Sequence, residues 1–214
     1  MDKEKVLKRI RECGLVAVVR ADDADQALRI SEACMKGGVA AIELTYTVPG
    51  VTKIIERLAA EYKGSEDFII GAGTVLDEET ARIAILAGAQ YVVSPYFRPE
   101  MVKLCNRYRV PVMAGAMTIK EAAEVMESGG DIIKIFPGEL FGPKIIKAIL
   151  GPLPHARMMP TGGVTLENAA DWIQAGAVAV GVGSGLTGGA KTGDYASITS
   201  TAIRFIEAIK RARA

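Results

Sequence analysis

A lysine stands inside an apolar, β-branched run, Asp131-Ile132-Ile133-Lys134-Ile135-Phe136-Pro137-Gly138, that otherwise reads as a fully buried strand. An unpaired ammonium is costly in such a place, so a lysine there is neutralised, paired or put to chemical use. The plainer alternative is an edge-strand lysine whose stem lies on apolar surface while its amine reaches water. The Phe-Pro-Gly that follows ends the strand and sets Lys134 near its carboxyl end. A second charge interrupts Ala41-Ile42-Glu43-Leu44-Thr45 in the same way. Strand alternation sends the flanking aliphatics of each run one way and Glu43 and Lys134 the other, so in a closed sheet both face the interior. An amine in a low-dielectric pocket near a cation such as Arg20 is a nucleophile towards a carbonyl, and a neighbouring carboxylate can carry protons. This is equipment for Schiff-base chemistry; the competing reading is a buried ion pair that only fixes the fold.

The elements that must position these groups repeat one grammar. Lys3 to Arg11 puts Val6, Leu7 and Ile10 on one helical face, a short helix that plugs one end of the fold. Strands are expected over 15–20, 41–45, 68–71, 91–94, 111–114, 132–136, 157–160 and 177–181. The helices between them are expected over 22–36, 51–62, 78–87, 99–108, 119–127, 143–150 and 166–175, with a last one over 198–212. Gly38-Val39-Ala40, Gly88-Ala89-Gln90 and Gly176-Ala177-Val178 each close a helix and enter the next strand. Eight such units in 214 residues predict a single (β/α)8 TIM barrel over 1–214 with a short N-terminal helix. A doubly wound open sheet uses fewer, longer units.

In that barrel the active site lies at the carboxyl ends of the strands. The polar residues expected there are Arg20, Glu43 with Thr45 and Thr47, Thr74, Ser94-Pro95, Lys134, Thr161-Gly162-Gly163 and Gly183-Ser184. The loops Pro160-Thr161-Gly162-Gly163-Val164 and Gly181-Val182-Gly183-Ser184-Gly185 follow the seventh and eighth strands, where barrels bind phosphate through exposed backbone N–H groups. One glycine-rich turn means little; two at those positions predict a phosphorylated substrate.

Composition narrows the classes. Hydrophobic residues make up 50% and aromatics 6%, which suits a core of aliphatic strands and alanine-rich helices. A net charge of +1 with interspersed signs offers no basic stripe for nucleic acid. No apolar run approaches the roughly 18 residues of a membrane span, and the charged start is unlike a signal peptide, so a cytoplasmic protein is expected. Cys13, Cys34 and Cys105 are scattered and without an activating histidine, which suits reduced structural thiols. The single histidine, His155, lies in a turn, and without acidic neighbours it argues against a metal site or a metal-dependent sugar-phosphate epimerase.

Taken together the chain resembles the 2-keto-3-deoxy-6-phosphogluconate (KDPG) and 4-hydroxy-2-oxoglutarate (KHG) aldolase family, class I pyruvate aldolases, nearly end to end. The resemblance is carried by Gly38 to Thr45, Ile70-Gly71-Ala72-Gly73-Thr74-Val75, Val93-Ser94-Pro95, Lys134-Ile135-Phe136-Pro137 and Pro160-Thr161-Gly162-Gly163. It implies Lys134 as the Schiff-base lysine, Glu43 as acid and base, Thr74 and Phe136 near the pyruvyl part, and Gly162, Gly163 and Ser184 at the phosphate. It also implies Thr45, Pro95 and Thr161 in the substrate pocket, Gly183 with the phosphate-binding residues, and Arg20 facing an anionic end. The implied reaction cleaves a phosphorylated 2-keto acid to pyruvate and glyceraldehyde 3-phosphate, as in the Entner-Doudoroff route, with no cofactor beyond the covalent Schiff base; the implied assembly is a homotrimer. Two departures stand out: Thr47 where many members have arginine, and Ala114-Gly115 where Pro-Gly is common. The first leaves carboxylate recognition to Arg20 and Thr74. The alternatives are a 2-dehydro-3-deoxy-6-phosphogalactonate aldolase of the same family, or a catalytically silent barrel serving as an oligomeric structural protein.

Overall fold

The computed structural model describes residues 2–214. Helix α1 (Lys3–Cys13) precedes β1 (Leu15–Val19), α2 (Ala24–Lys36), β2 (Ala41–Thr45), α3 (Val51–Glu61), β3 (Ile69–Gly73), α4 (Glu78–Leu86) and β4 (Tyr91–Val93). There follow α5 (Pro99–Arg107), β5 (Val112–Ala116), α6 (Ile119–Glu127), β6 (Ile132–Ile135), α7 (Lys144–Leu150), β7 (Met158–Pro160), α8 (Ala169–Gln174) and β8 (Val180–Val182). A short α9 (Ser184–Thr187) and a long α10 (Tyr195–Arg213) end the chain. The eight strands form one parallel sheet in the order β7-β6-β5-β4-β3-β2-β1-β8. A single bridge between Thr161 and Gly181 joins its two ends, so the barrel closes beside the seventh and eighth strand ends.

Alternation decides which side chains fill the barrel. Ile42, Leu44, Ile133 and Ile135 belong to the layer between strands and helices, while Val16, Ala41, Ile69, Tyr91, Met113 and Met159 fill the interior. Val6, Leu7 and Ile10 of α1 join that interior group and stopper the amino-terminal end. Asp2 caps α1 by accepting from Glu4 N, and Lys3 pairs with Asp131 at 2.9 Å, holding the plug to the start of β6.

Three strands differ from expectation by two residues or more at one end. Strands β3 and β5 run on to Gly73 and Ala116, and β8 begins only at Val180. Glycine and alanine in Gly71-Ala72-Gly73 and Ala114-Gly115-Ala116 read as the end of a strand, yet here they are strand interior because the space beside them is filled from elsewhere. A Cβ on Gly71 would meet the Tyr91 ring, one on Gly73 the Glu43 carboxylate, and one on Gly115 the Pro95 carbonyl. Helix α9 was not anticipated, and α10 starts at Tyr195 rather than at 198, with Asp194 accepting from Ser197 N at 3.0 Å.

Candidate active site

Glu43 and Lys134 meet inside the barrel. Their side chains are 0% and 3% exposed, and Lys134 Nζ lies 3.7 Å from Glu43 Oε1. The strand register explains the meeting: Glu43 is level with Val18 and Gly71, and Lys134 with Gly115 and Met159, so both emerge into a space bounded by small or flexible neighbours. The Glu43 side chain fills the volume that Gly73 leaves open. Neither Glu43 oxygen has a hydrogen-bond partner among the described residues, which leaves the carboxylate free to accept from a substrate or water. The Phe136 ring, just past β6, stands with its centroid 5.3 Å from Lys134 Nζ and covers the amine from the mouth side.

Thr45, at the end of β2, donates from Oγ1 to Val19 O at 3.0 Å. Its hydroxyl is therefore the acceptor for Thr47 Oγ1, 2.8 Å away, which fixes the direction of both protons. Thr74 directly follows β3 at φ 55, a left-handed conformation unusual for a β-branched residue. Ser94 is buried, and Pro95 is held over β5 because Gly115 has no side chain to displace its carbonyl.

Beyond β7 and β8 lies a cavity of about 340 Å³ lined by Arg20, Phe136, Glu139, Thr161, the Gly162-Gly163 turn, Ser184 and Gly185, among others. Gly162 and Gly163 take φ 91 and 67, which side chains with a Cβ rarely adopt. The N–H groups of Gly162, Gly163 and Val164 find no acceptor among the described residues. Ser184 and Gly185 open α9 ahead of its first internal bond, from Leu186 N to Gly183 O. Two backbone donor sets thus face one cavity, an arrangement suited to a phosphate. Thr161 is 5% exposed, and its Oγ1 has no partner among the described residues.

The structure separates one expected group from the pair. Arg20 is exposed at the rim and lines the donor-rich cavity; the counterion of Lys134 is Glu43. Two residues near the site escaped the sequence reading. Glu139 packs its side chain against Gly162 and Gly163, shaping that turn, and its position directly after the Phe-Pro-Gly run was the available signal. Tyr91 is wholly buried beneath the pair, and its phenol is pushed well above its ordinary value, chiefly by burial and next by the Glu43 charge. Nothing in a strand sequence Tyr-Val-Val distinguishes that tyrosine from core filling.

A parallel (β/α)8 barrel that brings a buried lysine and a carboxylate together in its interior is equipped for amine chemistry on a carbonyl group. The chain belongs to the KDPG and KHG aldolase family, whose model matches residues 6–201, and it is an aldehyde-lyase of the pyruvate aldolase kind. It is 34% identical over 171 residues to a 2-dehydro-3-deoxy-phosphogluconate aldolase of Haemophilus influenzae, covering 79% of each chain. It is 35% identical over 173 residues to a 2-dehydro-3-deoxy-6-phosphogalactonate aldolase of Escherichia coli, covering 80% of this chain and 83% of that one. A KDPG aldolase from Legionella pneumophila, solved with pyruvate captured as a covalent carbinolamine, superposes with a TM-score of 0.81 at 27% identity over 89% of this chain and 92% of that one.

Proposed function

We propose that this protein cleaves 2-keto-3-deoxy-6-phosphogluconate to pyruvate and glyceraldehyde 3-phosphate through a Schiff base on Lys134. The observation that carries the reading is the buried Lys134–Glu43 pair, 3.7 Å apart at the catalytic end of the barrel. At that separation no charge-assisted hydrogen bond immobilises the amine. In its neutral form Lys134 attacks the C2 ketone, and loss of water leaves an iminium that acts as electron sink. Glu43, through a water, takes the proton of the C4 hydroxyl while the C3–C4 bond breaks and the aldehyde departs. The remaining enamine is protonated at C3, and hydrolysis returns pyruvate and the free amine. Every proton and electron pair is carried by substrate, Lys134, Glu43 and water, with no metal or organic cofactor.

Phosphate is held by the Thr161 to Val164 and Gly183-Ser184 loops, with Arg20 at the rim as the balancing cation. Thr45, Thr74, Pro95, Phe136 and Thr161 form the walls around the keto acid. The likeness to a phosphogalactonate aldolase keeps the C4 epimer as the second reading, and 4-hydroxy-2-oxoglutarate as a further substrate. Leu76, Tyr96, Met117, Leu140 and Phe141 on the successive connections after β3 to β6, with Ile119 at the start of α6, are exposed apolar side chains that favour self-association, and the assembly we propose is a homotrimer; no described helix is long and apolar enough to cross a membrane, and we place the protein in the cytoplasm.

Borohydride in the presence of pyruvate should trap one adduct per chain, mapped to Lys134. Lys134→Met should abolish trapping and cleavage in a folded barrel, and Glu43→Gln should still trap while cleavage falls by about 10²- to 10⁴-fold. An adduct on a helical lysine, or none, would overturn the assignment. Rates on both C4 epimers and on 4-hydroxy-2-oxoglutarate then rank the substrates.

A further inference from the structure

On the strands that flank β3, three buried oxygen atoms have no hydrogen-bond partner among the described residues: both carboxylate oxygens of Glu43 and the phenol oxygen of Tyr91. Tyr91 and Glu43 are each 0% exposed. Leaving a buried polar group unpaired costs about 1–3 kcal/mol, so three in one compartment call for a common explanation.

Strand β3 supplies the geometry. Glu43 on β2 and Tyr91 on β4 flank it at the same level, both in register with Gly71. The space a Gly71 side chain would fill holds the Tyr91 ring, with its hydroxyl-bearing carbon nearest, and the space at Gly73 holds the Glu43 carboxylate. The phenol and the carboxylate make no direct hydrogen bond, and a single water between them would satisfy both.

The chemistry of the neighbours selects the acceptor. Lys134, reaching in from β6, can only donate while charged. Cys13, the last residue of α1, already donates to Leu15 O and accepts from Ala40 N. Met113 and Met159 offer only weak thioether acceptors. Arg20 and Glu139 stand exposed at the mouth. The phenol keeps its proton throughout the neutral range, because burial and the nearby Glu43 charge both disfavour phenolate.

We propose that Tyr91 is a positioning residue for the acid–base step: through one buried water its hydroxyl donates to the Glu43 carboxylate and keeps it aimed at the reacting carbons. Tyr91 does not touch substrate, since Glu43 lies between it and the mouth. The proposal rests on the Schiff-base reading of this site and extends it to the group beneath.

The test is exchange of the pyruvate methyl protons with deuterated solvent, which needs both the imine and a proton carrier. In Tyr91→Phe the exchange rate at neutral pH should fall by about three- to thirtyfold, a fraction of the effect of a general base itself. The loss should fall on the rate and leave the KM for pyruvate within about twofold, because Tyr91 acts through Glu43 and does not touch the substrate. Borohydride trapping should stay within about twofold, since imine formation at Lys134 does not need Tyr91. Adding Tyr91→Phe to Glu43→Gln should change exchange no further. An unchanged rate in Tyr91→Phe, or full additivity in the double variant, overturns the proposal. Should Tyr91→Phe fail to fold, the Cζ chemical shift of Tyr91 in labelled wild-type protein replaces it, and no response of that shift to Glu43→Gln overturns the proposal. A wild-type protein that neither traps nor exchanges pyruvate overturns the Schiff-base reading as well, which separates the two failures.

Discussion

At the scale of single residues, the site works by removing alternatives. Glu43 and Lys134 have each other and little else, so their protons and lone pairs remain available for a substrate. The cysteines show the opposite condition. Burial alone pushes the Cys34 thiol up to about 12, and burial is also the leading cause at Cys105, likewise pushed up to about 12. Neither forms appreciable thiolate at neutral pH, so both should alkylate slowly at pH 8 in the folded protein and at normal rates in denaturant. Replacing Cys13, Cys34 and Cys105 together by alanine should leave kcat within a few fold. A larger loss in a folded variant would show that a thiol acts in the reaction.

At the scale of elements, function sits where a strand stops and the backbone turns. The Thr161-to-Val164 turn presents free N–H groups because Gly162 and Gly163 adopt left-handed φ values, and Glu139 fills the space behind them. A Cβ on Gly163 would stand 2.6 Å from Glu139 Cβ. Gly163→Val should therefore distort the turn and raise KM for a phosphorylated substrate by about tenfold or more, the worth of one lost charge-assisted hydrogen bond. The KM for 4-hydroxy-2-oxoglutarate should hardly move, because that substrate brings no phosphate. Equal effects on both would place the phosphate elsewhere.

At the scale of the whole molecule, the barrel separates stability from chemistry. Its amino-terminal end is sealed by α1, with Ile10 fully buried among the interior side chains, and its carboxyl end carries the site. Removing most of the Ile10 side chain leaves a cavity far from Lys134. Ile10→Ala should cost about 2–5 kcal/mol in urea unfolding while trapping of pyruvate below the transition stays intact. A loss of trapping without a loss of stability would mean that the plug and the site are coupled. The closing bridge between Thr161 and Gly181 also belongs to this scale, since it makes barrel closure and the shape of the phosphate end one feature.

Periodicity, turn residues and two charges in apolar strands were enough to specify eight βα units, the inward faces of Glu43 and Lys134, and the two glycine loops, because each is encoded within a few consecutive residues. Lys134 was legible for the same reason: a charge in an isoleucine run contradicts its surroundings locally. Tertiary structure alone decided the rest. That Gly71 and Gly73 are strand interior rather than strand end depends on Tyr91 and Glu43 arriving from the strands on either side. That Arg20 stays at the rim, away from the Lys134–Glu43 pair, depends on where the barrel turns each strand end. Tyr91 gained its meaning last, because a buried phenol is distinguished from a buried ring only by what its oxygen meets across the barrel.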